Sequence, residues 1–393
     1  MPRVKRFGRV NVEKASIDDL ASQVGKIWGR RDTKRPPLVQ WLGVVDHTSR
    51  LVEFVRKSKW DQVVIEIGEV FVWWLSFMNR LAQEPSDTDA LELTNAVLFL
   101  PGKVSDIVWS KYPGVCPVCF GLEVARRAGV SIEENQEEKP AIPGVSTLVA
   151  AHEAMIREGS CRCLSRNDAI ENRPQWFKDY TKEAISGVIP SIRDQKPTTL
   201  NELENMFKRL FSSKYDIMSV VEVALHLQEE VGEIANAMLR LHCQPHKDSS
   251  KSEDLEEYRA ERSIRMRSLA EELADVFSWL VATRESTQRI IQTGLHFTRE
   301  LARRETDRKQ EEPNPLLTPD AVENVVRLAL SPASTLLDLT LHIFNYNGKL
   351  SCDKCKKPEC DMTDDEHLDT NGMLFGDTVR GFFEVIANSE PVA

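Results

Sequence analysis

Gln228-Glu229-Glu230-Val231-Gly232-Glu233 and, further along, Glu271-Glu272-Leu273-Ala274-Asp275 are the stretches that decide how this chain is read. Each sets two carboxylates three residues apart inside a segment with helical spacing. Residues at i and i+3 share one face of an α-helix, so Glu230 and Glu233 point the same way, as do Glu272 and Asp275. His226, Glu230, Glu233 and Ala237 form one stripe, beside the apolar stripe Leu227, Val231, Ile234 and Met238. Ser268, Glu272, Asp275 and Trp279 run in the same way beside Leu269, Leu273, Val276 and Leu280. Both acidic stripes therefore border the seam on which two such helices would pack. Carboxylates gathered there repel and desolvate badly unless a cation joins them. Oxygen-only ligands suit Mg²⁺ (or Mn²⁺), which is held by carboxylates together with substrate phosphates. One acid pair at this spacing is an ordinary solvated helix face. Two pairs, each beside an apolar seam and each preceded by a second Glu, point to a metal site.

The rest of the chain frames that site. Its 393 residues are 41% hydrophobic and 28% charged, an ordinary globular balance with room for two or three domains. The net charge of −10 argues against broad binding to a nucleic-acid backbone. The basic start, Met1 to Arg6, is not followed by an apolar core, so no signal peptide is expected. The most apolar run, 63–78, contains Glu66 and Glu69 and is too short to span a bilayer. A cytoplasmic protein with no membrane partner is the expectation.

Helical patterning dominates. The spacing predicts helices over 16–30, opened by the cap Ser16-Ile17-Asp18-Asp19, and over 38–57, 60–81 and 88–100. Further helices are expected over 146–157, 200–210, 217–241, 255–287 and onward to about 308. Residues 101–143, with their prolines, glycines and acidic run at 133–138, read as loop-rich. The expected organisation is a helical repeat over 1–100, a Cys-rich linker or zinc module over 101–197, a second helical repeat over 198–310, and a Cys-rich module over 311–393.

The repeat rests on Ile65 to Leu75 laid on Glu271 to Val281, which aligns an acid pair, a Val-Phe pair and a tryptophan. On the preceding helix, matching Glu53 to Glu233 puts Arg50 in place of Glu230; matching His47 to His226 loses both acids. Either way the first copy lacks an intact acidic pair there and reads as degenerate.

The eight cysteines fall mainly into two clusters. Cys116-Pro117-Val118-Cys119 with Cys161-Arg162-Cys163 offers four thiolates in two close pairs, which suits tetrahedral Zn²⁺ stapling a loop-rich insertion. Cys352, Cys355 and Cys360 offer three ligands of a second zinc site, with His367 as the nearest fourth and His342 as another. A zinc knuckle can bind nucleic acid, but the lysines beside this one are matched by Asp361, Asp364, Asp365 and Glu366, so a nucleic-acid partner is not expected.

Glu229-Glu230-x-x-Glu233 followed by Glu272-x-x-Asp275 resembles the signature of MazG-like nucleoside triphosphate pyrophosphohydrolases, in the all-α NTP pyrophosphatase group that includes the dimeric dUTPases. The resemblance covers about 215–305 well and 37–85 weakly, and does not extend to the Cys-rich regions. The gap from Glu233 to Glu272 is longer than usual for the family. The polar stretch 242–254 reads as a loop insertion, which costs little. The resemblance implies a mainly α fold of tandem MazG-like helical bundles with Cys-rich zinc-binding insertions. It implies Mg²⁺ on Glu230, Glu233, Glu272 and Asp275, and Glu229 orienting or deprotonating the attacking water. The implied reaction converts an NTP or dNTP and water to the monophosphate and pyrophosphate. Arg303, Arg304 and Arg308 are candidate phosphate-facing cations. Family members usually build their bundle from two subunits; a tandem chain would make that pseudo-dimer internally, or assemble further as a homo-oligomer. A non-catalytic nucleotide sensor or assembly scaffold with structural zinc sites is the competing expectation.

Overall fold

The computed structural model describes residues 14–33, 35, 37–82, 100, 102–132, 139–163, 173–174, 176–242, 252–307, 335–346 and 349–350. The expected helix over 88–100 (all but Leu100), the second cysteine cluster (Cys352, Cys355, Cys360 and His367) and Arg308 lie outside the described residues. The side chains of Arg303, Arg304 and His342 do too.

In chain order the helices are α1 (Ile17–Asp32), α2 (Pro37–Arg56), α3 (Trp60–Leu81), α4 (Val104–Lys111), α5 (Pro117–Ala128), α6 (Val145–Glu158) and α7 (Trp176–Val188). A 3-10 segment, Ile189–Gln195, leads to α8 (Leu200–Tyr215), α9 (Val220–His242), α10 (Ser252–Asp307) and α11 (Leu336–Phe344). The described residues add one small antiparallel pair, β1 (Asn345–Tyr346) and β2 (Lys349–Leu350), with Asn345 opposite Leu350. The fold is mainly α. Among the described residues no helix is long and apolar enough to cross a membrane.

Two helix trios carry the architecture. Each opens on a capping box: Ser16 and Asp19 satisfy each other's backbone amides at the start of α1, and Thr199 and Glu202 do so at the start of α8. In the first trio α2 packs along α3 and α1 covers α3; in the second α9 packs along α10 and α8 covers α10. The two hairpins then meet, α2 on α9 and α3 on α10. Phe71 and Phe277 face each other across that junction at 6.1 Å between ring centroids, with Trp74 and Phe207 each 5.5 Å from Phe277. Burying such a ring contributes roughly 1.5–3 kcal/mol. The amide of Leu200 donates to the Ala15 carbonyl at 2.9 Å, tying the two trio starts together.

The trios bury their side chains in one register. With Pro37 laid on Val220, the buried positions Val44, Thr48, Leu51 and Val55 fall on Leu227, Val231, Ile234 and Met238. With Glu66 laid on Glu272, the buried Val63, Ile67, Val70 and Phe71 fall on Leu269, Leu273, Val276 and Phe277. The second match is the one read from sequence. The first corrects it: His47 falls opposite Glu230, and Arg50 opposite Glu233 rather than Glu230. Exposed acids slide along an alignment at no cost, whereas a buried stripe fixes which face of a helix meets its neighbour.

The segment expected to be loop-rich holds α4 and α5. Pro117 at the first helical position starts α5, and Gly129, at φ +67°, ends it in the left-handed conformation that glycine adopts without strain. Helix α7, which burial of Trp176, Phe177, Tyr180 and Ile185 holds in place, was not expected either. The two helices expected from 255 to 308 are one continuous helix, α10.

Candidate metal centre

Helix α9 supplies Glu230 and Glu233, and α10 supplies Glu272. Carboxylate oxygens of these three lie within 4.8 Å of one another. The seam between the helices explains the convergence: Leu227, Val231 and Ile234 on one side and Leu269, Leu273 and Val276 on the other are buried, and the acids flank them.

Glu230 is the most constrained of the three. The indole Nε1 of Trp279 donates to its Oε1 at 3.0 Å, while its Oε2 is buried without a hydrogen-bond partner. Trp279 in turn stacks on the His226 ring, 4.5 Å away and 16° from parallel. Burial first, then repulsion from Asp275 and Glu233, pushes the Glu230 pKa up to about 8. Burial also raises Glu272, to about 7, with Lys111 opposing and Asp275 and Glu233 adding to the rise. Fully ionised, the cluster would carry more negative charge than Lys111 neutralises, and an orphaned buried acceptor sits within it. Both features fit a hard divalent cation with oxygen ligands.

The other two predicted acids are placed differently. Asp275 is not one of the gathered three; it lies beside them, ion-paired to Lys111 and accepting from the Tyr112 hydroxyl. Glu229 is exposed and outside the group, with its carboxylate 3.1 Å from His226 Nδ1.

Sequence reasoning missed Lys111 and Tyr112, which come from a segment whose prolines and glycines masked the short helix α4. That helix packs on α10. It is anchored at its start by Ser105, whose amide and hydroxyl donate to Asp18 at 3.0 and 2.6 Å, and by Lys196, 2.5 Å from Asp106. Burial works against the Lys111 charge, but Asp275, Glu272 and Glu271 outweigh it and hold the ammonium above its ordinary pKa. Burial and Asp275 push Tyr112 well up, so it remains a phenol donor.

A turn of a few residues leads from Tyr112 to the cysteines. His152 is buried, which pushes its pKa down; the neutral ring's Nε2–H donates to the Pro113 carbonyl at 2.7 Å and fixes that turn. Cys116 is the N-cap of α5, Cys119 lies in its first turn, and Cys161 and Cys163 follow α6. All four are buried and unbridged. Their sulfurs approach at 3.5 Å (Cys116 to Cys163), 3.7 Å (Cys119 to Cys161) and 3.4 Å (Cys119 to Cys163). A tetrahedral site with metal–sulfur bonds near 2.3 Å has edges of about 3.8 Å, so the set is close to the spacing a metal needs. Hydrogen bonds from the other three thiols push the Cys161 pKa strongly down, favouring its thiolate. The loop is held to α8: the Cys161 amide donates to the Leu210 carbonyl at 2.7 Å, and Ser213 Oγ donates to the Cys161 carbonyl at 2.6 Å.

Compared with models of protein families, with curated proteins and with solved structures, the chain matches none.

Proposed function

We propose that the chain is a Mg²⁺-dependent nucleotide pyrophosphohydrolase that cleaves an NTP or dNTP to the monophosphate and pyrophosphate at the α9–α10 seam. The observation that carries this reading is the convergence of Glu230, Glu233 and Glu272 around a buried, unpartnered carboxylate oxygen. The acidic pattern's resemblance to MazG-like enzymes supplies the reaction. Glu230, Glu233 and Glu272 would hold the ion, with Asp275 at the edge of the set. When bound, Mg²⁺ supplies positive charge to the triphosphate and makes water a stronger nucleophile.

The chain's own residues do the rest. Lys111, already beside the acids, places an ammonium where phosphate oxygens would need a counter-charge. The stacked rings of His226 and Trp279 wall the site on one side, and Trp279 fixes Glu230. Glu229 touches the site through His226 and is assigned a positioning role. In the same reading the four buried cysteines take Zn²⁺ in a closed, structural site, because all four positions are filled by protein.

Incubation of the full chain with a panel of NTPs and dNTPs and Mg²⁺, followed by product separation, tests the proposal. Monophosphate plus pyrophosphate from wild type, absent from Glu230→Gln/Glu233→Gln, is the expected result. No turnover of any nucleotide, with metal-dependent binding intact, would replace it with the sensor or scaffold reading.

A further inference from the structure

The burial register sets a second location beside the carboxylate cluster for comparison. Glu66 and Glu69 on α3 stand where Glu272 and Asp275 stand on α10, and Trp73 stands where Trp279 does. On α2, however, His47 and Arg50 stand where α9 has Glu230 and Glu233. Gly43 occupies the position of His226, and a Cβ there would lie 2.3 Å from the Trp73 ring, so Trp73 fills the space that the His226 ring fills in the second trio. Trp73 instead lies beside His47, their ring centroids 6.1 Å apart and 26° from parallel.

His47 Nδ1 lies 2.7 Å from Glu66 Oε2, and Glu66 is only 8% exposed. A buried carboxylate needs a positive partner or a proton. At Glu66 the His47 ring, reaching across from α2, is that partner when protonated; at Glu272 the same position faces two more acids. Arg50, opposite Glu233, is half-exposed and pairs with Asp46 on its own helix at 2.8 Å, so its charge is matched within α2.

We infer that the two trios are copies of one unit, and that the α2–α3 copy has lost its cation site: His47 and Arg50 stand in place of two carboxylate ligands, and the His47 ring takes up the Glu66 carboxylate that an ion would otherwise hold. The chain therefore binds one divalent ion at carboxylates, in α9–α10, and none in α2–α3. This rests on reading Glu230, Glu233 and Glu272 as a cation site, and is independent of whether any nucleotide is hydrolysed.

The test is to titrate the full chain with Mn²⁺ and count bound ions by the loss of the free-ion paramagnetic resonance signal. Wild type is expected to bind one ion and Glu230→Gln/Glu233→Gln none; no ion on wild type would instead overturn the cation reading itself. His47→Glu/Arg50→Glu, folded by circular dichroism, is expected to bind two ions, the second removed by adding Glu66→Gln. A folded variant that still binds one ion overturns the inference. The reverse swap, Glu230→His/Glu233→Arg, decides the matter if the first variant does not fold. It is expected to bind no ion and to melt, in ion-free buffer, above Glu230→Gln/Glu233→Gln, because it installs a histidine partner beside Glu272. An equal or lower melting temperature, or retained ion binding, overturns the inference.

Discussion

The indole N–H of Trp279 points at Glu230 Oε1 from 3.0 Å, across the seam between α10 and α9. One acceptor of Glu230 is thereby fixed while the other stays buried and open. Residues that orient a metal ligand commonly change affinity by 10–100-fold when lost. Trp279→Phe keeps the ring and removes the donor, so Mn²⁺ affinity is expected to fall about tenfold or more with the helical circular dichroism unchanged. Affinity equal to wild type by calorimetric titration would mean that the indole only packs.

Protonation of the cluster sets a pH dependence. Glu230 is pushed up to about 8 and Glu272 to about 7, from an ordinary value of 4.5. Between these values the folded, ion-free protein holds protons that the unfolded chain releases. Stability must therefore fall as pH rises from about 5 to about 8, because the folded state binds more protons over that window. A divalent ion takes the place of those protons, so its stabilising effect should grow over the same range. Melting temperatures of wild type and Glu230→Gln/Glu272→Gln, with and without Mg²⁺, isolate the contribution. A wild-type slope no steeper than the variant's would contradict it.

Lys111 is the internal counter-charge of Asp275 and also donates to the Glu271 carbonyl at 3.3 Å. Lys111→Met leaves Asp275 with Tyr112 alone. Loss of a charged hydrogen bond in a part-buried setting is expected to cost about 1–3 kcal/mol in ion-free buffer. Divalent-ion affinity should rise, since a competing cation has gone. Urea unfolding gives the first quantity and Mn²⁺ titration the second. Unchanged stability together with weaker ion binding would reverse the assigned role.

The cysteine site is expected to hold one zinc per chain. Cys161→Ser should empty it and destabilise the protein by more than about 4 kcal/mol, the range in which loss of a structural metal falls. The loop anchored on Leu210 and Ser213 would lose its staple, and the turn carrying Tyr112 and Lys111 would lose its neighbour. Elemental analysis and thermal melts measure both effects. No metal at Cys116, Cys119, Cys161 and Cys163, with these four thiols alkylated rapidly and an unchanged melt, would contradict the prediction.

Parts of this architecture were legible before any coordinates. The i, i+3 spacing placed Glu230, Glu233 and Glu272 on faces that do converge, and the Val-Phe and Trp matches lay α3 on α10 in the register that their buried residues share. Those signals survive because buried residues on long helices carry the 3.6-residue period over many turns. The register of α2 did not survive: Glu53 and Glu233 are both exposed, so matching them ignored the buried stripe that sets the face. Helix α4, from Val104 to Lys111, is too short to display a period, and its neighbours Pro101, Gly102 and Pro113 read as loop. Lys111 and Tyr112 were hidden with it. Their partnership with Asp275 joins residues far apart in the chain, and no local pattern announces such a contact.

The central claim is that Glu230, Glu233 and Glu272 form a divalent-cation site. Anomalous diffraction from crystals of the full chain soaked in Mn²⁺ tests it most directly. The account predicts a manganese peak among these three carboxylates, absent in Glu230→Gln/Glu233→Gln, and no such peak at His47 and Glu66. Clear density for the three side chains with no anomalous peak among them would contradict it.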